Sequence, residues 1–491
     1  MHAKAALFAL ACLANAGAAG FAQDRPSGAE GRPYRHTIWD LELGSHAREL
    51  SRSDYVDFAC GTNGGPPSIV LKDWRDFATC KPEPATGLRE VYFRYDDELE
   101  YRSLARDPDK LGMYRFEGTS EFQIPVIVSG LFDDFGFLAG IRLVSDPRTD
   151  VLTRERGGNL SGVLEARFGG DGFDCVDLPR REGESPYRGA LIKERCEVVD
   201  EQAGVRRVME KHYYRKPGQN LLDPVTGQRT IGYFVSETRY EALLLEPIPN
   251  PQERLAAIRD PEPTEVDLLA ARSRDCPGCD LAGANLKRAD LHGANLAGAN
   301  LAGANLHGAN LAGADLTGAQ LPKANLNKVD LRRAKLAEAN LIDTMLYQAR
   351  LDGADLSGAD MSGAAAARLQ MIRGTAPGLY AQETDLRYSR ISDSDLSGAD
   401  LSYSKLQQAQ VARTNLQGAT LSDTLFWEAN LSAANLIDVQ AELTDFTGAN
   451  LRDADLSGGN FTAAKFRLAI TTGVLSEGAT FKGAELPRGF P

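Results

Sequence analysis

From Leu281 onward a large apolar residue returns at every fifth position: Leu281, Leu286, Leu291 and so on without a break through Leu356 to Met361. The phase reappears at Leu386, Ile391, Leu396 and Leu401, and reaches Phe461, Phe466, Phe481 and Leu486. Alanine stands two positions before most of these residues, and Asp or Asn one position before. No other feature of the chain constrains its backbone as much. On an α-helix, residues five apart differ by roughly 140° in direction, so the leucines would cover every side. On a flat strand an odd interval sends them to alternate faces. A chain that turns by roughly 90° per pentapeptide points them all at one axis, and four pentapeptides then make a coil of about twenty residues. Coils stacked about 4.8 Å apart bury a continuous column of leucines, each contributing roughly 1.5–3 kcal/mol. The alanine must be small because four of them share one layer. A glycine two positions after the leucine suits a tight corner.

The unit Ala-(Asp/Asn)-Leu-X-X, as in Ala284-Asn285-Leu286 and Ala289-Asp290-Leu291, resembles the pentapeptide-repeat family over Cys276 to Leu486. The resemblance implies a right-handed quadrilateral β-helix. It implies a shape and not a chemistry, because fold alone does not carry function. Relatives of this kind often open with a helix and a Cys-Pro-Gly-Cys-Asp-Leu segment, as Cys276 to Leu281 does here. Between residues 362 and 385 the motif fades, with Ala364-Ala365-Ala366-Ala367-Arg368-Leu369 and then Pro377-Gly378. Ala366, Met371, Ala376 and Ala381 nevertheless keep the inward phase, so a continuous coil with a local bulge is expected.

The first 22 residues read as a secretory signal: Lys4, an apolar core from Ala5 to Leu13, and Gly20-Phe21-Ala22 before a cleavage point. That core is too short to span a bilayer, and Cys12 follows a poor lipoprotein box. A bacterial periplasmic or secreted location is expected. Without Cys12 six cysteines remain, an even number that reads as three disulfides in an exported chain. Fifteen pairings exist; proximity favours Cys60 with Cys80, Cys175 with Cys196 and Cys276 with Cys279.

Residues 23–245 are aromatic-rich, charged and not repetitive, and resemble no named family. Arg89 to Tyr95 alternates as a half-buried strand, and Asp96-Asp97 precede a helix over Leu99 to Arg106. Phe122–Ser129 and Phe137–Val144 flank a hairpin turn. Further strands are expected at Leu191–Val199, Arg207–Tyr214 and Ile231–Leu243. The expected class is therefore mainly β, with an α+β domain of mostly antiparallel sheet ahead of the solenoid at 276–491. Residues 246–275 combine a proline-rich linker with a short helix, Thr264 to Arg272, placed to cap the first coil.

The net charge of −13 comes with no basic block along the chain, which argues against phosphate-driven nucleic-acid binding. No nucleophile elbow, zinc-protease pair or Walker loop is present. Past the signal the histidines are His36, His46, His212, His292 and His307. Cys276-Pro277-Gly278-Cys279 lies between a helix and a β-coil and reads as a staple rather than a redox pair. Asp96-Asp97-Glu98 and Asp133-Asp134 lack calcium-loop spacing. The Gly-rich loop from Cys60 to Pro67 ends in Pro-Pro and presents no helix N-terminus to a phosphate. No catalytic residue, metal or cofactor is assigned.

Residues twenty apart stack on one solenoid side. The column after the central residue aligns Tyr347, Ala367, Arg387, Gln407 and Trp427, with Arg368, Tyr388 and Gln408 beside it. Aromatics with arginine are what interfaces enrich, so Tyr347, Arg368, Arg387, Tyr388 and Trp427 are candidates for a face that binds a protein partner; the alternative is that Tyr347 and Trp427 fold down over neighbouring alanines. The resemblance also implies a homodimer through the C-terminal end. The function expected is an exported, non-catalytic scaffold or protein-binding module; the alternative is an enzyme or ligand-binding activity in residues 23–245. Some family members mimic DNA and inhibit gyrase, but the outward positions between Asp290 and Asp315 are Asn, Ala, Gly and His, without the rows of carboxylates that mimicry needs.

Overall fold

A computed structural model describes residues 35–109, 119–168, 172–217, 234–259 and 274–490. The signal segment and the capping helix at 264–272 lie outside the described residues. The chain divides into two units: Met1–Asp97 with Arg115–Pro261, and Glu98–Tyr114 with Glu262–Pro491.

The first unit is one antiparallel sheet. Its strands are β1 (Tyr55–Cys60), β2 (Arg89–Tyr95), β3 (Ser120–Glu121), β4 (Ile124–Phe132), β5 (Leu138–Ser145), β6 (Asp174–Asp177), β7 (Ile192–Asp200), β8 (Val205–Tyr214) and β9 (Val235–Leu244). The spatial order is β1-β2-β4-β5-β9-β8-β7-β6, with β3 paired to β4. β2 has the bounds its alternation predicts, and Val91, Phe93 and Tyr95 are buried. They face Trp74, whose ring lies 4.8 Å from Phe93, 4.8 Å from Phe58 and 5.5 Å from Tyr55. Such edge-on aromatic pairs each add roughly 0.5–1.5 kcal/mol beyond burial. The β4–β5 hairpin turns at Asp133, whose carboxylate accepts from the Phe135 and Phe137 amides, both at 2.9 Å. Helices α2 (Val151–Glu155), α3 (Asn159–Phe168) and α4 (Pro251–Ala257) complete the described part of this unit.

The second unit combines the helix α1 (Glu98–Arg106) with the coils of 274–490. Every residue preceding a central leucine forms a parallel bridge with the residue twenty further on, from Asp280 with Asn300 to Lys465 with Glu485. One coil is therefore four pentapeptides, as the interval of five requires. Leu286 N donates to Asn305 O at 2.8 Å, and Asn305 N returns a bond to Ala284 O at 2.9 Å. Both inward positions are buried throughout the central coils. This is a β-helix.

The coil continues through residues 362–385 with no bulge: Met345, Arg350, Asp355, Asp360 and Ala365 all keep their bridges to residues twenty ahead. From here on, hydroxyls replace alanine at many inward positions. Ser404 Oγ donates to Ala381 O at 2.5 Å and accepts from Thr384 N at 3.0 Å, so it sits inside the turn of the neighbouring coil. Ser394 does the same between Met371 O and Gly374 N. Thr384, Thr414, Thr424 and Thr444 donate equivalent bonds to the coil before them. Pairing offsets the cost of burying a hydroxyl; Ser389, also buried, has no partner for its Oγ among the described residues. At the far end Phe426, Phe446 and Phe466 stack with centroids 5.3 and 4.9 Å apart, and Phe490 closes over Phe481 at 4.9 Å.

Candidate interaction surface

The solenoid side that carries the expected partner face already holds a helix of the same chain. α1 presents Tyr101, Leu104 and Ala105 on one stripe, and these form a small buried cluster with Tyr347 and Ala367. Tyr347, a candidate for the partner-binding face, is 0% exposed. Its ring meets Tyr101 edge-on at 5.9 Å. His307, two coils earlier in the same column, lies 5.5 Å from the Tyr101 ring and is also buried. What covers Tyr347 is an amphipathic helix supplied from another part of the chain.

Polar contacts fasten both ends of this segment. Glu98 accepts from Asn305 Nδ2 at 3.1 Å, from Asn325 Nδ2 at 3.3 Å and from Arg102 Nε at 2.7 Å, with Lys287 Nζ at 3.4 Å. Burial pushes the Glu98 carboxyl up, but the Arg102 and Asn305 hydrogen bonds and the Lys287 charge prevail and hold it below its usual range. Past the helix, Asp109 accepts from Arg387 Nη1 at 2.7 Å and from the Tyr388 hydroxyl at 2.6 Å. The Tyr388 bond is the main reason the Asp109 carboxyl is depressed, and the same bond raises the Tyr388 hydroxyl. The span from Lys287 to Arg387 is five coils, about 24 Å; a nine-residue helix covers about 13 Å of it, and Asp107 to Asp109 carry the chain on to Arg387.

Of the five candidate face residues, four are gathered here. Tyr347 lies under α1, Arg387 and Tyr388 hold Asp109, and the Arg368 guanidinium lies 4.9 Å over the Tyr388 ring. Trp427 stands further along the column and is 48% exposed, as are Tyr403 and Tyr380 on the adjoining side to a similar degree. The acceptor helix itself was legible as a helix but not as a ligand. Its only signal is the apolar spacing of Tyr101, Leu104 and Ala105.

The six described cysteines lie as three bonded pairs, Cys60–Cys80, Cys175–Cys196 and Cys276–Cys279, with Cα atoms 5.2, 4.0 and 5.4 Å apart. Cys175 and Cys196 also stand near Glu194, but sulfurs bonded to each other are not thiolate ligands. Cys276 and Cys279 close the first pentapeptide from inward positions.

In the sheet unit, charge is concentrated on Arg142 of β5, whose side chain is 3% exposed. Its guanidinium meets Glu83 at 2.5 Å, Glu90 at 3.0 Å and Glu241 at 2.7 Å. Burial opposes the positive charge, yet these carboxylates hold the Arg142 pKa above its ordinary value. Glu83 is depressed in turn: the Arg142 hydrogen bond outweighs its burial. The Gly-rich loop closes over the group, its Asn63 amide donating to Glu90 at 2.6 Å. His46 is engaged by Phe135 O and the Arg48 amide, both at 3.1 Å, and burial lowers its pKa. These residues build the fold locally.

A family model described as pentapeptide repeats matches residues 274–301, 289–327, 324–363, 382–418, 412–448 and 429–470, in eight copies. It leaves unmatched the stretch where alanines replace the motif, although the coil there is continuous. Upstream of residue 274 no family model matches. Among solved structures, the chain is similar to HetL, a pentapeptide repeat protein involved in heterocyst differentiation regulation from the cyanobacterium Nostoc sp. strain PCC 7120. That match has 27% identity, covers 46% of this chain and 98% of HetL, and has a TM-score of 0.21. A second is Rfr23 from the cyanobacterium Cyanothece 51142, at 35% identity over 22% of this chain and 62% of that one, TM-score 0.11. A third is QnrB1, a plasmid-mediated fluoroquinolone resistance protein, at 18% identity over 43% and 88%, TM-score 0.19. No curated protein matches the chain.

Proposed function

We propose that this chain, whose C-terminal region consists of pentapeptide repeats, is an exported, non-catalytic scaffold that binds a protein partner along one side of its solenoid. The carrying observation is the side column itself: it holds a helix by an apolar cluster flanked by charged anchors, which is how protein interfaces are built. We read the coil, in its finer geometry, as a right-handed quadrilateral β-helix. Trp427, Tyr403 and Tyr380 supply exposed aromatic surface beyond α1. Export accords with the signal-like first 22 residues and with three bonded cysteine pairs. Among the described residues no helix is long and apolar enough to cross a membrane. Leu468, Leu475 and Leu486 are exposed at the C-terminal end and form the surface a second copy would cover in a homodimer.

The test is capture from a periplasmic extract with the full chain and with a Trp427→Ala, Tyr403→Ala double variant. A protein retained by the first and lost with the second is expected. Failure of the wild-type chain to retain any protein would overturn the reading.

A further inference from the structure

The numbering taken in steps of twenty uncovers a charge pattern that a linear scan does not. The two positions after the central residue on the α1 side read Lys287-Arg288, His307-Gly308, Asn327-Lys328, Tyr347-Gln348, Ala367-Arg368 and Arg387-Tyr388. Five are cations, and no acid occurs in these two columns before Glu428. The side reached ten residues later, from Ala297-Gly298 to Ser457-Gly458, carries no Lys or Arg at all. The side reached five residues later also holds five arginines, from Arg332 to Arg452, but Asp352, Asp393 and Asp453 stand among them, so the α1 side is the one whose cations meet no acid in their own columns before Glu428.

What lies on this side is acidic at both ends and apolar between: Glu98, then Tyr101, Leu104 and Ala105, then Asp109. Lys328 Nζ stands 4.4 Å over the Tyr101 ring. The fit is incomplete, because buried Asn327 uses its Oδ1 to accept from Tyr347 N at 3.0 Å while its Nδ2 has no acceptor. A helix of nine residues is too short to be stable by itself, so α1 depends on the contacts it makes with the coil.

We propose that the basic side of the solenoid is a recognition surface for an acidic amphipathic helix of another protein, and that α1 is its resident, displaceable occupant. This rests on the binding-scaffold reading and specifies its partner. The ligand class follows from the chemistry of the occupant: a carboxylate for Lys287, Asn305 and Asn325, an aromatic and an aliphatic side chain one turn apart over Tyr347 and Ala367, and a second carboxylate for Arg387 and Tyr388. A better ligand also places an acceptor on Asn327.

The probe is a labelled synthetic peptide of residues 97–109, titrated against the full chain and against a Tyr101→Ser, Leu104→Ser variant that releases α1. Binding at least tenfold tighter to the variant is expected. The same peptide with Glu98→Gln and Asp109→Asn should bind at least tenfold more weakly, and so should the intact peptide to a released chain carrying Lys328→Glu and Arg368→Glu. Equal binding to both chains, or indifference to the peptide's acids, would overturn the proposal. So would a single-stranded oligonucleotide that displaces the peptide and binds more tightly, because the side would then be a phosphate surface. A concentration-dependent dimer that dissolves on adding peptide would assign the site to a second copy and overturn it too. Because the released variant risks misfolding, hydrogen exchange on the wild-type chain gives an independent reading. Amides of 98–106 should exchange at least a hundredfold faster than those of the coils around Leu326 to Ala354; equal rates would show that α1 does not leave. If the peptide fails while Trp427→Ala, Tyr403→Ala still abolishes capture, the scaffold reading stands and the helix reading falls.

Discussion

The solenoid and the sheet unit bury their cores by opposite means. In the solenoid, Leu316 meets neighbours from its own coil and the coils on either side, and Leu336 and Leu356 see the same surroundings repeated. In the sheet unit, Trp74 meets Tyr55, Phe58, Phe93 and Phe132, drawn from separate segments of chain. A repeated environment needs no charge inside it, whereas the sheet unit buries Arg142 among three carboxylates. The lesson is that stability in the first is close to a sum of equal terms, and in the second it depends on a few singular residues.

The sharpest way to break that contrast is Arg142→Met. It leaves Glu83 and Glu90 without their cation and Glu241 with Arg239 alone, and should cost the sheet unit about 3–5 kcal/mol in denaturant unfolding. A cost below about 1 kcal/mol would show the network to be dispensable. Next come Leu316→Ala and Leu336→Ala, each expected to cost about 3 kcal/mol from lost burial and the cavity left. If their environments are equivalent, the two losses agree closely; a large disparity would mean that the coils are not interchangeable. Thr424→Val should cost about 1 kcal/mol, because a buried bond to Leu401 O is lost while shape is kept. Calorimetry distinguishes that from the null change expected of a hydroxyl that only fills space.

Acid should act on the second unit first at α1. The folded Glu98 carboxyl is depressed, so its stabilisation is complete above its unfolded value of about 4.3 and is lost as pH falls through the lower folded value. Exchange of the α1 amides should therefore be flat from pH 7 to about 5, after correction for intrinsic rates, and accelerate only below about 4. Acceleration near neutrality would assign the dependence to another group. The smallest effect is expected from Arg413→Gln, which removes a solvent-exposed ion pair with Asp393; the melting temperature should not change measurably.

Much of this was legible in particular residues. The run of Leu281 to Met361 at intervals of five implies coils of twenty, and the alternation of Val91, Phe93 and Tyr95 marks β2 with its observed bounds. The phase of Ala366, Met371, Ala376 and Ala381 already indicates continuity where the motif fades; the expected bulge does not occur because alanine and methionine fit the inward slots without altering the count. That α1 covers Tyr347 is not legible, because nothing near residue 347 shows what lies over it. The hydroxyls of Thr384, Ser394 and Ser404 read locally as blemishes, and their partners lie some twenty residues earlier.

By itself, the amino-acid order determined whatever depends on local period: the coil length, the inward columns and the strand faces, since side-chain direction follows from spacing along the chain. Tertiary structure alone decided that residues 98–109 join the solenoid unit, that Arg142 gathers Glu83, Glu90 and Glu241, and that α1 covers Tyr347. Those are contacts between segments distant in sequence. They depend on which surfaces exclude water together and which charges then find partners, and no spacing rule encodes that.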